Sequence, residues 1–390
     1  MRIIVAAALA AGSVLAGAAH AQSVKIGIIL PYTGQFADGA KQMDDAIKLY
    51  VQQHGESVAG KKLEFVRKDT GGIAPDVAKR LAQELVVRDR VDILAGFLLT
   101  PNAMAAGDVS AEAKKFMVVM NAATSIITTK SPYMARTSLT TPQLNESLGT
   151  WAAKQGGVHK VYTMVSDYGP GHDAEQAFQS AFKAAGGEIV GAVRFPVANP
   201  DFAAFVQRAK DQNPEGIFVF VPGGAQPGAL GKALAERGMD ARKTKIMGQL
   251  ELSQEDARKA MGDTAIGIIT SSHYDPNHDS ALNHQFVKAY HALAGRNPNF
   301  FAIGGYDGMH LIYEALKKTG GKTDGEALID AAKGMHWESP RGQISIDPET
   351  RDIVQTVYIQ RVEKVGGELK NVEFDKVENV KDPVKARMKK

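Results

Sequence analysis

From Val24 onward, short runs of β-branched and aliphatic residues alternate with stretches in which apolar positions recur every three or four residues. The first pattern predicts strands buried on both faces, the second amphipathic helices. Strands are expected over 24–30, 63–66, 91–97, 116–120 and 133–137, with helices over 76–90, where Val77, Leu81, Leu85 and Val86 share a stripe, and 100–115. After a helix behind Pro142 comes a second series, with strands at 160–166, 189–195, 217–221, 245–247 and 267–271 separated by helices near 172–186, 201–212 and 226–238. Such alternation implies right-handed crossovers and parallel sheets covered on both faces, so the fold class is α/β with two doubly wound parallel-sheet lobes. Helices over 281–293 and 301–319 do not complete the second sheet alone and are expected to return to the first lobe, followed by a short helix near 325–333 and strands at 343–346 and 353–362. Three hinge segments follow, near Thr140, His273 and Asp347. Lobe 1 then holds residues 22–140 and 274–347, lobe 2 holds 141–273 and 348–365, and 366–390 form a C-terminal tail. Lobes joined this way hinge, which suits ligand capture by closure.

The first 21 residues break the pattern. Met1-Arg2 supplies a charge, residues 3–18 are an unbroken run of apolar and small side chains, and Ala19-His20-Ala21 is a small-x-small site, so a signal peptide cleaved after Ala21 is expected. A membrane anchor needs about 20 strongly apolar residues, and this run is mostly Ala and Gly. The mature chain belongs in a periplasm on this reading. It carries no Cys, which excludes disulfide frameworks, Cys-ligated metals and thiol nucleophiles. A length of 390 residues agrees with two cores, because one core stops growing at about 250–300. The net charge of +3 leaves no electrostatic footprint for nucleic acid. The last ten residues hold five Lys/Arg against one Asp, and read as a frayed, solvated end.

Little in the chain suggests catalysis. Gly169-Pro170-Gly171-His172-Asp173-Ala174 follows a strand and opens a helix, which matches a dinucleotide fingerprint locally, but the next strand ends Arg194-Phe195-Pro196 without the acid that holds a ribose. An enzyme using that Gly169–Gly171 loop for a nucleotide is the alternative from another class. The nucleophile elbow, the zinc-protease helix motif and the P-loop are missing, and His278 and His284 stand six apart, off the spacing of helical metal ligands. Two loops carry a stronger signal. Gly96-Phe97-Leu98-Leu99-Thr100-Pro101 ends a strand and starts a helix with Thr placed to cap it, and Asn121-Ala122-Ala123-Thr124-Ser125 follows the next strand. Ligands of open α/β sheets bind beyond the carboxyl ends of strands, where helix N–H groups attract anions. The pair predicts a carboxylate pocket using Thr100 and Thr124, with simple helix caps as the plain alternative.

In order and spacing, Val24-Lys25-Ile26-Gly27-Ile28-Ile29-Leu30-Pro31-Tyr32-Thr33-Gly34, the Gly96 loop, Asn121-Ala122-Ala123-Thr124, the Asp167 loop, Val221-Pro222-Gly223-Gly224, Tyr306-Asp307 and Ser339-Pro340-Arg341-Gly342 resemble the periplasmic leucine/isoleucine/valine-binding protein family. The resemblance spans about residues 24–360. It implies a type I periplasmic binding protein, a monomer without cofactor or metal that feeds an inner-membrane ABC permease. By the same resemblance Thr100 meets the ligand carboxylate, Ala122 and Thr124 grip the head group, Tyr306 and Phe36 are aromatic walls, and Leu99 and Tyr168 complete the lining.

This sequence departs from the family in the second lobe. The ammonium-binding Glu aligns on Leu250, with Glu251 one residue along, an aromatic position aligns on Ala225, and the family's disulfide is missing. Because a buried ammonium without a counter-charge costs several kcal/mol, Leu250 at that point disfavours an α-amino acid. An aromatic acid, a ligand some family members take, is the expected cargo. A branched-chain amino acid, with Glu251 swinging in, is the rival.

Overall fold

The computed structural model describes residues 23–388; the segment expected as a signal peptide lies outside them. Its first sheet contains β1 (Val24–Leu30), β2 (Ser57–Val58), β3 (Lys61–Asp69), β4 (Ile93–Gly96), β5 (Phe116–Val119) and β6 (Met134–Arg136) in the order β2-β3-β1-β4-β5-β6. All neighbours pair in parallel except the short β2. Ile26, Ile28, Ile93, Phe116 and Val118 point to one core, and Ile29, Leu94, Met117 and Val119 to another on the opposite face, which is why these strands read as unbroken apolar runs. Helix α1 (Ala37–His54) lies on the first face, α2 (Pro75–Val87) and α3 (Thr100–Ala113) on the second.

The chain leaves this sheet through α4 (Thr141–Lys154), whose start is fixed by a capping box between Thr140 and Gln143. The second sheet follows with β7 (Lys160–Ser166), β8 (Glu188–Phe195), β9 (Gly216–Phe220), β10 (Lys245–Gln249) and β11 (Ile269–Ser272), parallel throughout and interleaved with α5 (Gly169–Ala184), α6 (Phe202–Asp211), α7 (Gln226–Glu236) and α8 (Glu255–Met261). Helices α9 (Ala281–Ala294), α10 (Phe300–Lys318) and α11 (Gly325–Ala332) then pack on the first sheet: Phe286, Tyr290 and Ile303 meet Ala46 and Leu49 of α1, and Met309, Ile312 and Leu316 join the core under β1. The chain closes with β12 (His336–Ser339), β13 (Gly342–Ile346), β14 (Ile353–Val365), β15 (Glu368–Val380) and α12 (Pro383–Met388).

Three expectations need correction. The second sheet is mixed rather than parallel, because β12 to β15 are joined by tight reversals and add antiparallel. Residues 366–388 are not a mere tail: Gly366 and Gly367, with φ of +61° and +87°, make a two-residue hairpin turn that lays β15 along β14 from Gln355 to Val365, and within the stretch expected to fray Pro383–Met388 form α12. The third crossing is not at Asp347 either. There the carboxylate accepts from the N–H groups of Glu349 and Thr350, both at 2.9 Å, and turns the chain back. The crossing runs instead along β14, which pairs with β13 at Val354 and with β11 at Tyr358 to Arg361. Helix α1 also goes unforeseen, since its buried Gln42, Asp44 and Asp45 interrupt the apolar stripe.

Two buried ion networks hold the crossings. Arg341 donates to Asp307 (Nε to Oδ2, 2.8 Å), to the carbonyls of Ser138 and Thr137, and to Gln355, while Trp337 and Ser339 also donate to Asp307. Arg136 donates to Asp352 (2.7 Å) and to the carbonyls of Ala122 (3.0 Å), Thr124 (2.8 Å) and Ser125 (3.3 Å). Lys385 of α12 closes the second network on Asp352 at 2.5 Å, and Ser125 donates to Asp382 at 2.7 Å. The segment expected to fray therefore braces the loop expected to hold the ligand.

Candidate functional site

The carboxyl ends of β4 and β5 face those of β7, β9 and β10 across a cleft. It is lined from the first lobe by Phe36, Leu98, Leu99, Thr100, Asn121 and Ala123, and from the second by Tyr168, Phe220, Pro222, Gly223, Gln249 and Glu251, with Thr141 at the hinge and Phe301 at the start of α10. About 450 Å³ not filled by protein atoms, part of it open to solvent, lies between them. An outer compartment lined by Gln35, Gly224, Ala225 and Asp256 continues it, sharing Phe36, Gly223, Glu251 and Phe301. At the lips the lobes touch: a Cβ added to Gly223 would stand 3.3 Å from the Phe301 ring, on Gly224 3.2 Å from the Gln35 carbonyl, and on Gly169 3.5 Å from the Thr124 hydroxyl. The glycines of the suspected nucleotide loop have a local reason too, since a Cβ on Gly171 would fall 1.9 Å from the Ser166 carbonyl.

Local conformation aims the first-lobe loop. Gly96 takes a φ of +104°, and Phe97 one of +63°, a costly conformation for a bulky residue. The buried Phe97 ring and its N–H bond to the Ile29 carbonyl (2.9 Å) hold it there, turning residues 98–100 into the cleft. Thr100 is the first residue of α3 rather than its cap, and Leu99 in the cap position supplies no side-chain bond. The Thr100 hydroxyl is thus free of capping duty; it donates to the Thr124 hydroxyl at 3.3 Å. With the positive end of the α3 dipole and the unpartnered Thr141 hydroxyl, it forms an end suited to an anion, although Pro101 carries no N–H and the Ala103 N–H is taken by the Leu99 carbonyl at 3.0 Å.

The cleft brings together Phe36, Leu99, Thr100, Tyr168, Ala225 and Glu251 among the residues singled out from the sequence. It leaves others outside. Tyr306 lies elsewhere on α10, its ring against Tyr50 and Phe286 and its hydroxyl on Gln53 at 2.7 Å, and Phe301 is the aromatic wall that sequence reasoning missed. Ala122 is buried behind the loop, its N–H on the Phe97 carbonyl, and Ala123 lines the space. Thr124 bridges Thr100 and the second lobe, where Ser125 N–H donates to Asp173 at 3.2 Å.

Leu250 and Glu251 exchange the places expected of them. Both sit on a 3-10 turn after β10; Leu250 faces a separate cavity beside the hinge and joins the first-lobe core, and Glu251 faces the ligand space. The cleft therefore does contain a carboxyl. Burial raises the Glu251 pKa from 4.5 to about 7, opposed by the 3.2 Å bond its Oε1 accepts from Gln249, while Oε2 has no partner. A carboxyl protonated in the fold but ionised in the unfolded chain binds the extra proton when folded, so stability falls as pH rises from about 4.5 and levels off above about 7. Glu251→Gln is expected to remove that fall in stability, on the order of 3 kcal/mol, and to be the more stable protein at pH 8. Urea melts of both proteins at pH 5 and pH 8 check this; parallel pH dependences would refute it.

Comparison with known proteins adds to this geometry. A model of the periplasmic binding protein family matches residues 23–368. A solute-binding protein of an ABC transporter from Rhodopseudomonas palustris BisB5, solved with 3,4-dihydroxybenzoic acid, is 54% identical; the match covers 93% of this chain and 99% of that one, with a TM-score of 0.89. A second, from Rhodopseudomonas palustris HaA2, solved with p-hydroxybenzoic acid, is 42% identical over 94% of this chain and all of its own, with a TM-score of 0.90. The Leu/Ile/Val-binding protein homolog 6 of Brucella abortus (strain 2308) is 43% identical over 98% of this chain and 99% of its own length.

Proposed function

The chain belongs to the periplasmic binding protein family, and from that premise we propose that it encloses an aromatic carboxylate between its two lobes and delivers it to an inner-membrane ABC permease. It works in the periplasm as a monomer, after cleavage behind Ala21, with no cofactor and no chemical change to the ligand. The observation that carries this reading is the lining. Four rings, Phe36, Tyr168, Phe220 and Phe301, surround a space whose one end is the start of α3 with Thr100. Stacking a benzene ring among them buries about 150 Å² of apolar surface, worth about 3–4 kcal/mol before ordering costs. The hydroxybenzoates held by the two Rhodopseudomonas palustris proteins support the same class.

A branched-chain amino acid is the second reading. The free Oε2 of Glu251 favours it, since an ammonium would pair there, and so does the designation of the Brucella relative. Calorimetric titration with benzoate, 4-hydroxybenzoate, leucine and valine decides: heat from an aromatic acid and none from either amino acid is expected, and the converse would refute the proposal. Recovery of the bound acid unaltered after incubation tests the transport reading against catalysis. Thr100→Val is expected to weaken binding of the acid by about 1.5–3 kcal/mol, the range for a hydrogen bond to a charged group, with little change in stability. Undiminished affinity would return Thr100 to a structural role.

A further inference from the structure

We infer that Glu251 reads a hydroxyl on the ligand's ring, so that the site is built for hydroxylated aromatic acids over bare benzoate. This rests on the aromatic-carboxylate reading and assigns the end of the ligand which that reading leaves open. A carboxylate drawn to Thr100 and the start of α3 directs the rest of the ring toward the second lobe. There the lining is apolar or aromatic (Tyr168, Pro170, Phe220, Pro222, Gly223) apart from Gln249 and Glu251. Gln249 is already committed. Its Oε1 accepts from Asn145 at 2.8 Å, and Asn145 is itself anchored on the Thr141 carbonyl at 2.8 Å, so the Gln249 amide must turn its N–H toward Glu251 Oε1. Of the remaining polar groups on this side, the Tyr168 hydroxyl and the Glu251 carboxyl, Glu251 Oε2 is the atom out of contact with solvent and without a partner. A buried acceptor left unmade is costly, and a phenolic O–H supplies the missing donor. Neither benzoate nor a ring ether can do so. A site holding a hydrogen-bonding group for a substrate hydroxyl rejects analogues lacking it, because the group is then stranded.

The test is titration calorimetry at pH 8, where the Glu251 carboxyl is ionised and can only accept, with three probes, 4-hydroxybenzoate, benzoate and 4-methoxybenzoate, on the wild-type protein, Glu251→Leu and Glu251→Gln. Wild type is expected to bind 4-hydroxybenzoate at least tenfold tighter than the other two. Glu251→Leu should lose at least tenfold on 4-hydroxybenzoate and less than threefold on benzoate. Glu251→Gln keeps the shape but must turn its oxygen to Gln249 and its N–H to the ligand, where a hydroxyl and a methoxy oxygen accept equally, so it should lose the preference of 4-hydroxybenzoate over 4-methoxybenzoate; that pair serves as the test if the leucine variant melts early. A preference retained in both variants, or missing from wild type, overturns the assignment of Glu251 while leaving the aromatic reading intact. Failure of all three aromatic probes alongside binding of leucine would overturn the reading beneath it.

Discussion

Asp307→Ala and Arg341→Met are each expected to lower the free energy of unfolding by about 3–5 kcal/mol, with the double variant costing far less than their sum. Both side chains are at most 1% exposed, so bulk solvent does not reach whichever charge is left behind. Removing Asp307 strands a guanidinium that burial already pulls below its ordinary pKa, and removes the acceptor for Trp337 and Ser339. Loss of Arg341 instead strands the carboxylate and frees the carbonyls of Thr137 and Ser138, where the chain passes between the sheets. Because one network fails in either case, the second change finds little more to break. Urea unfolding of the two single variants and the double variant checks it, and simple additivity would show that the two residues act separately.

Asp352→Ala is the second large effect, and it reaches the ligand. Asp352 accepts from both Arg136 and Lys385, whose ammonium burial pulls below its ordinary value, so its loss leaves two cations facing each other inside the protein. A cost of about 3–5 kcal/mol is expected. Arg136 also holds the carbonyls of Ala122, Thr124 and Ser125, so its displacement should loosen the loop that lines the cleft and weaken binding of the aromatic acid as well. Thermal unfolding and calorimetric titration of the same variant separate the two. A destabilised variant with wild-type affinity would show that the brace serves the fold alone.

Most of the architecture was legible because parallel strands covered on both sides show up as apolar runs, and β7 coincides with its expected span at both ends. Helix α1 was not, since burying Asp44 and Asp45 beside Lys48 and Arg67 erases the stripe a helix normally shows. Strand β15 has a mostly exposed face and no apolar run, and its place is decided by the turn at Gly366-Gly367 and by pairing with β14. At the site, the loops beyond β4 and β5 followed from chain order, because the carboxyl end of a parallel strand can open only one way. Side-chain direction did not follow. Tyr306 and Phe301 share α10 five residues apart, which rotates one from the other by about 140°. Leu250 and Glu251 adjoin on a tight turn, where a shift of one residue exchanges core for cleft. A carboxyl does stand in the cleft, contrary to the expected missing counter-charge, although the ligand class that expectation favoured is also the class held by two solved proteins similar to this one.

The contacts at the lips, Gly223 on Phe301 and Gly224 on the Gln35 carbonyl, bear on the traffic of ligand rather than its affinity. With the rims in touch, a bound molecule leaves no faster than the rims part, and a rival arriving from outside meets protein instead of the occupant. Exchange is then gated: excess competitor should not hasten departure, and residence time becomes a property of the hinge, open to adjustment by whatever grips both lobes at once.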